Sequence, residues 1–307
     1  MEEVKIFSPA TVANVACGFD VLGFCLDGIG DEMIIRKSKE KGVRIVVSEG
    51  FDLPMDIEKN IAGVSAQALY EKANPDFGFE LELYKHIKPG SGIGSSAASA
   101  IGSVFGMNIL LGNPFNQNEL IGFAMKGEAL ASAAEHADNI APALFGGFTL
   151  VKSTNPVHIL QIPTPSELYA VIVHPQIEIK TAEARSVLPQ HINLKDATLQ
   201  WANLGSLVHA LHTSDYELIG QSLIDVVAEP YRSKAIPNYD TLKETAKKAG
   251  ALGTSISGSG PSIFSLCKGK DIAERVNNEQ IKILNSMGIP FETYVSKINT
   301  QGITIVK

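Results

Sequence analysis

Cysteine is scarce. The chain has 307 residues and three cysteines, Cys17, Cys25 and Cys267, at spacings that fit neither a disulfide framework nor a metal-ligand motif. That suits a reducing compartment and gives the expectation of a cytoplasmic protein. No block of lysine and arginine occurs, and the formal net charge is −7, which argues against a nucleic-acid partner. No apolar run reaches the roughly 18 residues that a membrane span requires, so no membrane partner is expected. The opening "MEEVKIFSPA" lacks the basic and apolar segments of a secretory signal. Internal repeats and low-complexity segments are also missing.

What is present is an ordinary core-forming composition, 45% hydrophobic and 19% charged, long enough for one large or two medium domains. "VKIFSPATVAN" starts as a strand and is expected to break at Pro9. "EMIIRKS" and "VRIVVSE" have strand length and β-branched residues, and "FELELYKHI" alternates as a half-buried strand does. Helical spacing covers 60–73, 95–111, 116–134, 199–211, 217–227, 239–249 and 272–287. Asn116 with Glu119 forms a capping signature. "YAVIVHP", "SIFSLCK", "ETYVSKI" and "GITIVK" read as further strands, and "FGGFTLV" as a turn into one. Trp201 and the methionines read as core. Strands and helices follow no βαβ rhythm, so the expected class is α+β. Pro156, Pro163 and Pro165 mark a boundary between expected domains 1–163 and 164–307.

The stretch "PGSGIGSSAA", residues 89–98, follows a strand and opens a helix. Glycines let backbone N–H groups approach a ligand, and a helix start offers unpaired N–H groups with partial positive charge. Together they form an anion site, most often for phosphate. The spacing of Gly90, Gly92 and Gly94 is not the dinucleotide fingerprint, and no lysine follows as a Walker loop requires. A serine-capped structural turn is the alternative on the loop alone. Two other glycine- and small-residue-rich stretches weigh against it: "PATVANVACGFDVLG" (9–23), which carries Asn14 and Asp20, and "GTSISGSGPSIFSL" (253–266).

At these three stretches, in this order and spread along nearly the whole chain, the sequence resembles the GHMP small-molecule kinases. The resemblance implies an N-terminal domain similar to ribosomal protein S5 domain 2 and a ferredoxin-like C-terminal domain. It also implies ATP, Mg²⁺ and a small acceptor, with a homodimer as the assembly. Four stretches, "ATVANVACGFDVLG", "EHADNIAPALFGGF", "TAEARSVLP" and "EPYRSKAIP", most resemble members that phosphorylate the side-chain hydroxyl of L-homoserine for threonine biosynthesis. By that resemblance Asn14, Asp20, His136, Asp138, Arg185 and Arg232 line the acceptor site. Ser96 and Glu128 hold Mg²⁺. Asn60 and the loop Pro89, Gly90, Ser91, Gly92, Ile93, Gly94, Ser95 and Ser96 hold the nucleotide, with Thr181 and Gly258 near the phosphates.

The chemistry suits these residue types. Phosphoryl transfer is mainly positioning and charge neutralisation, and Mg²⁺ accepts one carboxylate, one hydroxyl and waters. Glu128 lies in "FAMKGEALASAAEH", where an exposed helix face is the plain alternative. For a zwitterionic acceptor, Asp20 is the candidate for the ammonium and Arg185 with Arg232 for the carboxylate, by bidentate geometry. Surface positions are the alternative for each arginine, and packing for His136. Asn139 stands where sister families such as the mevalonate kinases have an aspartate, and an amide is no base at neutral pH. The expectation is that Asn139 orients the hydroxyl, with Asp138 as the rival, a true base. His209 and His212 are three apart with no third ligand, so surface positions are expected, and Cys17 has no activating partner. Another acceptor in the same family, a non-catalytic nucleotide sensor and a structural module similar to the S5 fold are the competing readings.

Overall fold

The structure, a computed structural model, describes residues 1–132 and 136–306. In chain order the first part contains β1 (Glu3–Ala13), β2 (Leu22–Ser38), β3 (Val43–Glu49), α1 (Ile61–Ala73), β4 (Gly78–Tyr84), α2 (Ser95–Leu110), α3 (Gln117–Ser132), α4 (Ile140–Phe145), β5 (Phe148–Thr154) and β6 (Val157–Ile162). The second part contains β7 (Leu168–Pro175), α5 (Thr181–Ser186), α6 (Leu194–Thr213), α7 (Tyr216–Ser222), α8 (Glu229–Arg232), α9 (Tyr239–Ala249), β8 (Gly253–Ile256), β9 (Ile263–Lys268), α10 (Lys270–Met287), β10 (Phe291–Lys297) and β11 (Thr304–Val306).

The first sheet runs β11-β1-β2-β4-β3, with β5 on the far end of β2 and β6 beside β5. Its alternating apolar residues explain its position. Ile6, Met33, Ile35, Leu81 and Leu83 face inward and pack against Ala66 and Leu69 of α1, Ile101 and Val104 of α2 and Ile121 of α3. Asn60 caps α1, and Asn116 and Glu119 exchange the two bonds of a capping box at the start of α3. The expected end of that helix at Ala134, and Glu135 after it, lie outside the described residues.

Four antiparallel strands, β10-β7-β9-β8, make the second sheet, with α9 and α10 packed on one face. Its other face shares a core with the first part. Phe24 and Phe148 of the first sheet meet Phe264 of β9, with Phe24 and Phe264 edge to face at 5.8 Å. Burying each such ring contributes about 1.5–3 kcal/mol. The chain passes from the first sheet to the second between β6 and β7, and β11 then returns to pair with β1, Lys5 opposite Val306.

Several expectations are corrected. β1 does not break at Pro9. It continues to Ala13 because the missing N–H falls at a register shift between Pro9 and Thr11. The helix expected over 217–227 stops at Ser222, where Asp225 turns the chain by accepting from the N–H groups of Val227, Ala228 and Glu229. Trp201 is not core. It stands on the outer side of α6 with 63% of its surface exposed, as are Met1 and Met55, whereas Met33, Met107 and Met125 are buried.

Candidate active site

Three loops converge on one cavity of about 290 Å³, and backbone bonds stitch them together. The Thr11 N–H donates to the Ile93 carbonyl at 3.1 Å, Gly258 N–H to Ala13 carbonyl at 3.2 Å, and Ser262 N–H to Ser91 carbonyl at 3.2 Å. Side chains add the Ser257 hydroxyl to the Gly92 carbonyl at 2.7 Å and the Asn14 amide to the Gly258 carbonyl at 2.8 Å. Asn14 also accepts from the Asp20 N–H at 3.0 Å, so it holds the 14–20 loop closed. Asn14, Val15, Ala16 and Asp20 all have left-handed backbones, an arrangement that needs such bonds to persist.

The glycine loop has left-handed φ angles at Gly90, Gly92 and Gly94. Any side chain at Gly94 would meet the Thr11 hydroxyl at 2.1 Å, and one at Gly92 the Gly260 carbonyl at 2.6 Å. Helix α2 starts at once after Gly94 and points its N-terminus into the cavity. Beneath it lies a buried ion pair. Lys85 contacts Asp31 and donates to the Ser95 carbonyl and the Ser99 hydroxyl, both at 2.9 Å, while Asp31 accepts from the N–H groups of His86 and Ile87.

Glu128 is buried, not on an exposed face, and lines the cavity on α3. Burial pushes its carboxyl up to about 7, against the opposing pull of the Ser96 hydroxyl bond and the Lys85 charge. A hard carboxylate and a hydroxyl on neighbouring helices, open to the same cavity, fit a Mg²⁺ ion. Asp138 is likewise pushed to about 7 by burial and by the charges of Asp20 and Glu128. Asn139 accepts from the Thr11 hydroxyl at 2.8 Å, which fixes its amide oxygen toward β1 and leaves its NH₂ group for the cavity.

The opposite wall is a charge cluster. Arg185 donates from Nη2 to Asp20 at 2.7 Å and to His136 Nε2 at 2.9 Å. Guanidinium cannot accept, so His136 is neutral with its acceptor at Nε2, in keeping with burial holding its pKa below the ordinary value. Arg232 spends Nε on the Ala184 carbonyl at 3.1 Å and Nη1 on the Gly258 carbonyl at 2.9 Å. The Phe19 ring is close to both arginines, 5.7 Å from the Arg185 guanidinium and 5.2 Å from that of Arg232.

Nearly every residue singled out in the sequence lines this cavity, Thr181 among them. Ile93 instead packs in the core, and Ser91 is buried behind the loop, contributing its carbonyl to Ser262. Ser95 donates its hydroxyl to the Ile87 carbonyl at 2.8 Å, so its backbone rather than its side chain is free to face a ligand. Asn60 uses its side chain on the N-terminus of α1 and the Pro54 carbonyl. Sequence reading missed Thr11, Phe19, Asp31, Lys85 and Ser99. Burial pushes the Cys17 thiol up to about 12, an inert state, and His209 and His212 are exposed. Among the described residues no cluster of three His, Cys, Asp or Glu side chains is arranged for a metal, and no helix is long and apolar enough to cross a membrane.

Comparison with known proteins identifies the family and the fold. Residues 60–147 match the family described as GHMP kinases N terminal domain, and residues 207–280 match GHMP kinases C terminal. The chain is 43% identical to a homoserine kinase of Chlorobium phaeobacteroides (strain BS1) over the full length of both, and 37% identical to one of Pyrococcus abyssi over 95% of this chain and 96% of the other. The crystal structure of homoserine kinase from Cytophaga hutchinsonii superposes with a TM-score of 0.95 at 46% identity, covering 100% of this chain and 98% of that one. The crystal structure of L. major mevalonate kinase in complex with R-mevalonate shares the fold alone, at a TM-score of 0.72 and 16% identity over 96% of both chains. The two sheets and the stitched glycine loops are thus those of a GHMP kinase. Within that class, the chain belongs to the homoserine kinase family.

Proposed function

We propose that this protein transfers the γ-phosphoryl group of ATP to the side-chain hydroxyl of L-homoserine, releasing ADP and O-phospho-L-homoserine, a step toward threonine. The observation that carries the reading is the meeting, in one cavity, of the α2 N-terminus, the Ser96–Glu128 pair and the Asp20–Arg185–His136–Arg232 wall. The first part, residues 1–163 with the returning β11, supplies the phosphate side. Residues 164 onward supply the arginines.

In this reading the backbone N–H groups of Gly90, Gly92, Gly94, Ser95 and Ser96, which line the cavity, cradle the triphosphate, with Thr181 and Gly258 beside it. Glu128 and Ser96 would hold Mg²⁺, which when bound offsets the phosphate charge. Asp20 faces the acceptor ammonium. Arg185 and Arg232 face its carboxylate, with His136 and Asn14 completing the wall. The hydroxyl oxygen attacks the γ-phosphorus, the bond to ADP breaks, and Asn139 orients the hydroxyl through its NH₂ group. The proton then leaves to phosphate or solvent. The pKa of Asp138, about 7, favours a second reading in which Asp138 takes that proton. Turnover abolished in Asp138→Asn with homoserine binding intact selects the second reading, and retained turnover selects the first. The cysteine usage carries a cytoplasmic location and the family resemblance a homodimer, the latter checked by sedimentation velocity.

The test is ADP release with Mg-ATP and a panel of L-homoserine, D-homoserine, L-serine, L-threonine, mevalonate, shikimate and galactose. Turnover with L-homoserine above all others supports the reading. Preference for another member overturns the acceptor, and ATP binding without any turnover overturns the enzyme.

A further inference from the structure

Gln200 and Asp225 lie outside the cavity, and the transfer just described uses neither. Both are polar yet buried, 7% and 8% exposed. Buried amides and carboxylates persist when they are hydrogen-bonded, and these two share their partners. Gln200, on α6, donates from Nε2 to the Cys17 carbonyl and to Asp225 Oδ1, each at 3.0 Å, and accepts from the Val226 N–H at 3.0 Å. Asp225 accepts from the N–H groups of Val227, Ala228 and Glu229 at 2.8, 3.0 and 2.8 Å.

The two ends of this bracket matter. Cys17 sits in the left-handed loop between Asn14 and Asp20. Glu229 opens α8, whose last residue is Arg232. Four residues are far too few for a helix to hold by itself, so the three N–H bonds to Asp225 define where α8 begins. The Glu229 side chain, held by Lys243 and by the Ser255 hydroxyl, anchors the same turn from the second sheet. Gln200 therefore ties the loop that carries Asp20 to the turn that carries Arg232.

We propose that Gln200 and Asp225 are positioning residues that set the spacing between Asp20 and Arg232, and thereby the fit of the acceptor's ammonium and carboxylate. This rests on the acceptor reading above. The glycine loop on the nucleotide side is held by different bonds, among them Lys85 to the Ser95 carbonyl, and the bracket reaches that side at Gly258, whose carbonyl accepts from Asn14 and Arg232.

The test is the KM for the acceptor against the KM for ATP in Gln200→Met and Asp225→Asn. Gln200→Met keeps the volume and removes the bonds to Cys17, Asp225 and Val226, and the acceptor KM is expected to rise about tenfold while the ATP KM stays within about twofold. Asp225→Asn retains an oxygen for Val227 and Ala228 and is expected to shift the acceptor KM in the same direction by less. Equal changes in both constants, or none, with the melting curve preserved, overturn the proposal. So does loss of the fold in both variants, which would make the bracket a requirement of folding. Should only Gln200→Met fail to fold, Asp225→Asn decides. Inactivity of the unaltered chain with every acceptor removes the acceptor reading itself, whereas normal activity with unsplit variants removes only this inference.

Discussion

The Arg185 guanidinium donates to the Asp20 carboxylate at 2.7 Å, across 165 residues of sequence. The two groups proposed for the opposite ends of a zwitterion thus pair with each other. Such pairing lowers the cost of holding both charges part-buried. It also means that an acceptor lacking either charge must break the pair without replacing it, which is a source of discrimination.

Removing one member of this pair is therefore expected to act on the acceptor alone. Asp20→Asn and Arg185→Met should each raise the homoserine KM by about tenfold to a hundredfold, the range of a lost charge-assisted bond. ATP affinity, measured by titration calorimetry, should stay within about twofold. A parallel loss of ATP affinity contradicts the placement.

Glu128 supplies a pH dependence. With its carboxyl at about 7, it is largely protonated below that pH and must release a proton to take a cation. Mg²⁺ affinity in the presence of ATP should weaken as pH falls below about 7 and level off above it. Glu128→Gln should lose this proton release, read from calorimetry in buffers of different ionisation enthalpy. It should also weaken Mg²⁺ by more than the ~10–100-fold typical of outer-shell changes.

The Lys85–Asp31 pair is buried on both sides. Lys85→Met leaves Asp31 charged and uncompensated, and the expected loss of stability is about 3–5 kcal/mol by urea unfolding. Adding Asp31→Asn should restore part of that loss, since the stranded charge goes. A double variant as unstable as the sum of the singles contradicts a direct interaction.

His174, on β7, is fully buried, and burial lowers its pKa to about 4. Its unfolded value is near 6.5, so the unfolded state binds a proton that the native state refuses between those pH values. Stability from this group is complete above pH 6.5 and falls by on the order of 3 kcal/mol as pH drops to 4. Thermal melts of His174→Gln should show a shallower decline over that window than those of the unaltered chain.

The three loops were legible in the sequence because glycine and small polar residues accumulate where backbones must cross closely, and Gly92 and Gly94 do sit against other chain segments. The bonds between loops were not, since Asn14 finds Gly258 only through folding across 244 residues. Lys85 and Asp31 left a signal that was overlooked. Phe79, Leu81, Leu83 and Ile87 take the inward positions of "FELELYKHI", and Lys85 falls in the same phase. Asp31 holds the same phase ahead of Met33 and Ile35, and the register that pairs Met33 with Leu83 brings the two charges together. A charge on the buried phase of a strand demands a partner. Trp201 misled because aromatic content reads as core by composition alone, while its position on α6 faces outward. The early end of the helix over 217–227 depended on Asp225, whose capping of α8 no periodicity reveals.

The central claim is transfer of phosphate to a side-chain hydroxyl, and phosphorus NMR of the product reads it directly. With Mg-ATP and L-homoserine, the account predicts a phosphomonoester resonance split by the adjacent methylene protons, growing in step with ADP. Inorganic phosphate alone, an acyl phosphate, or an unchanged ATP spectrum would contradict it.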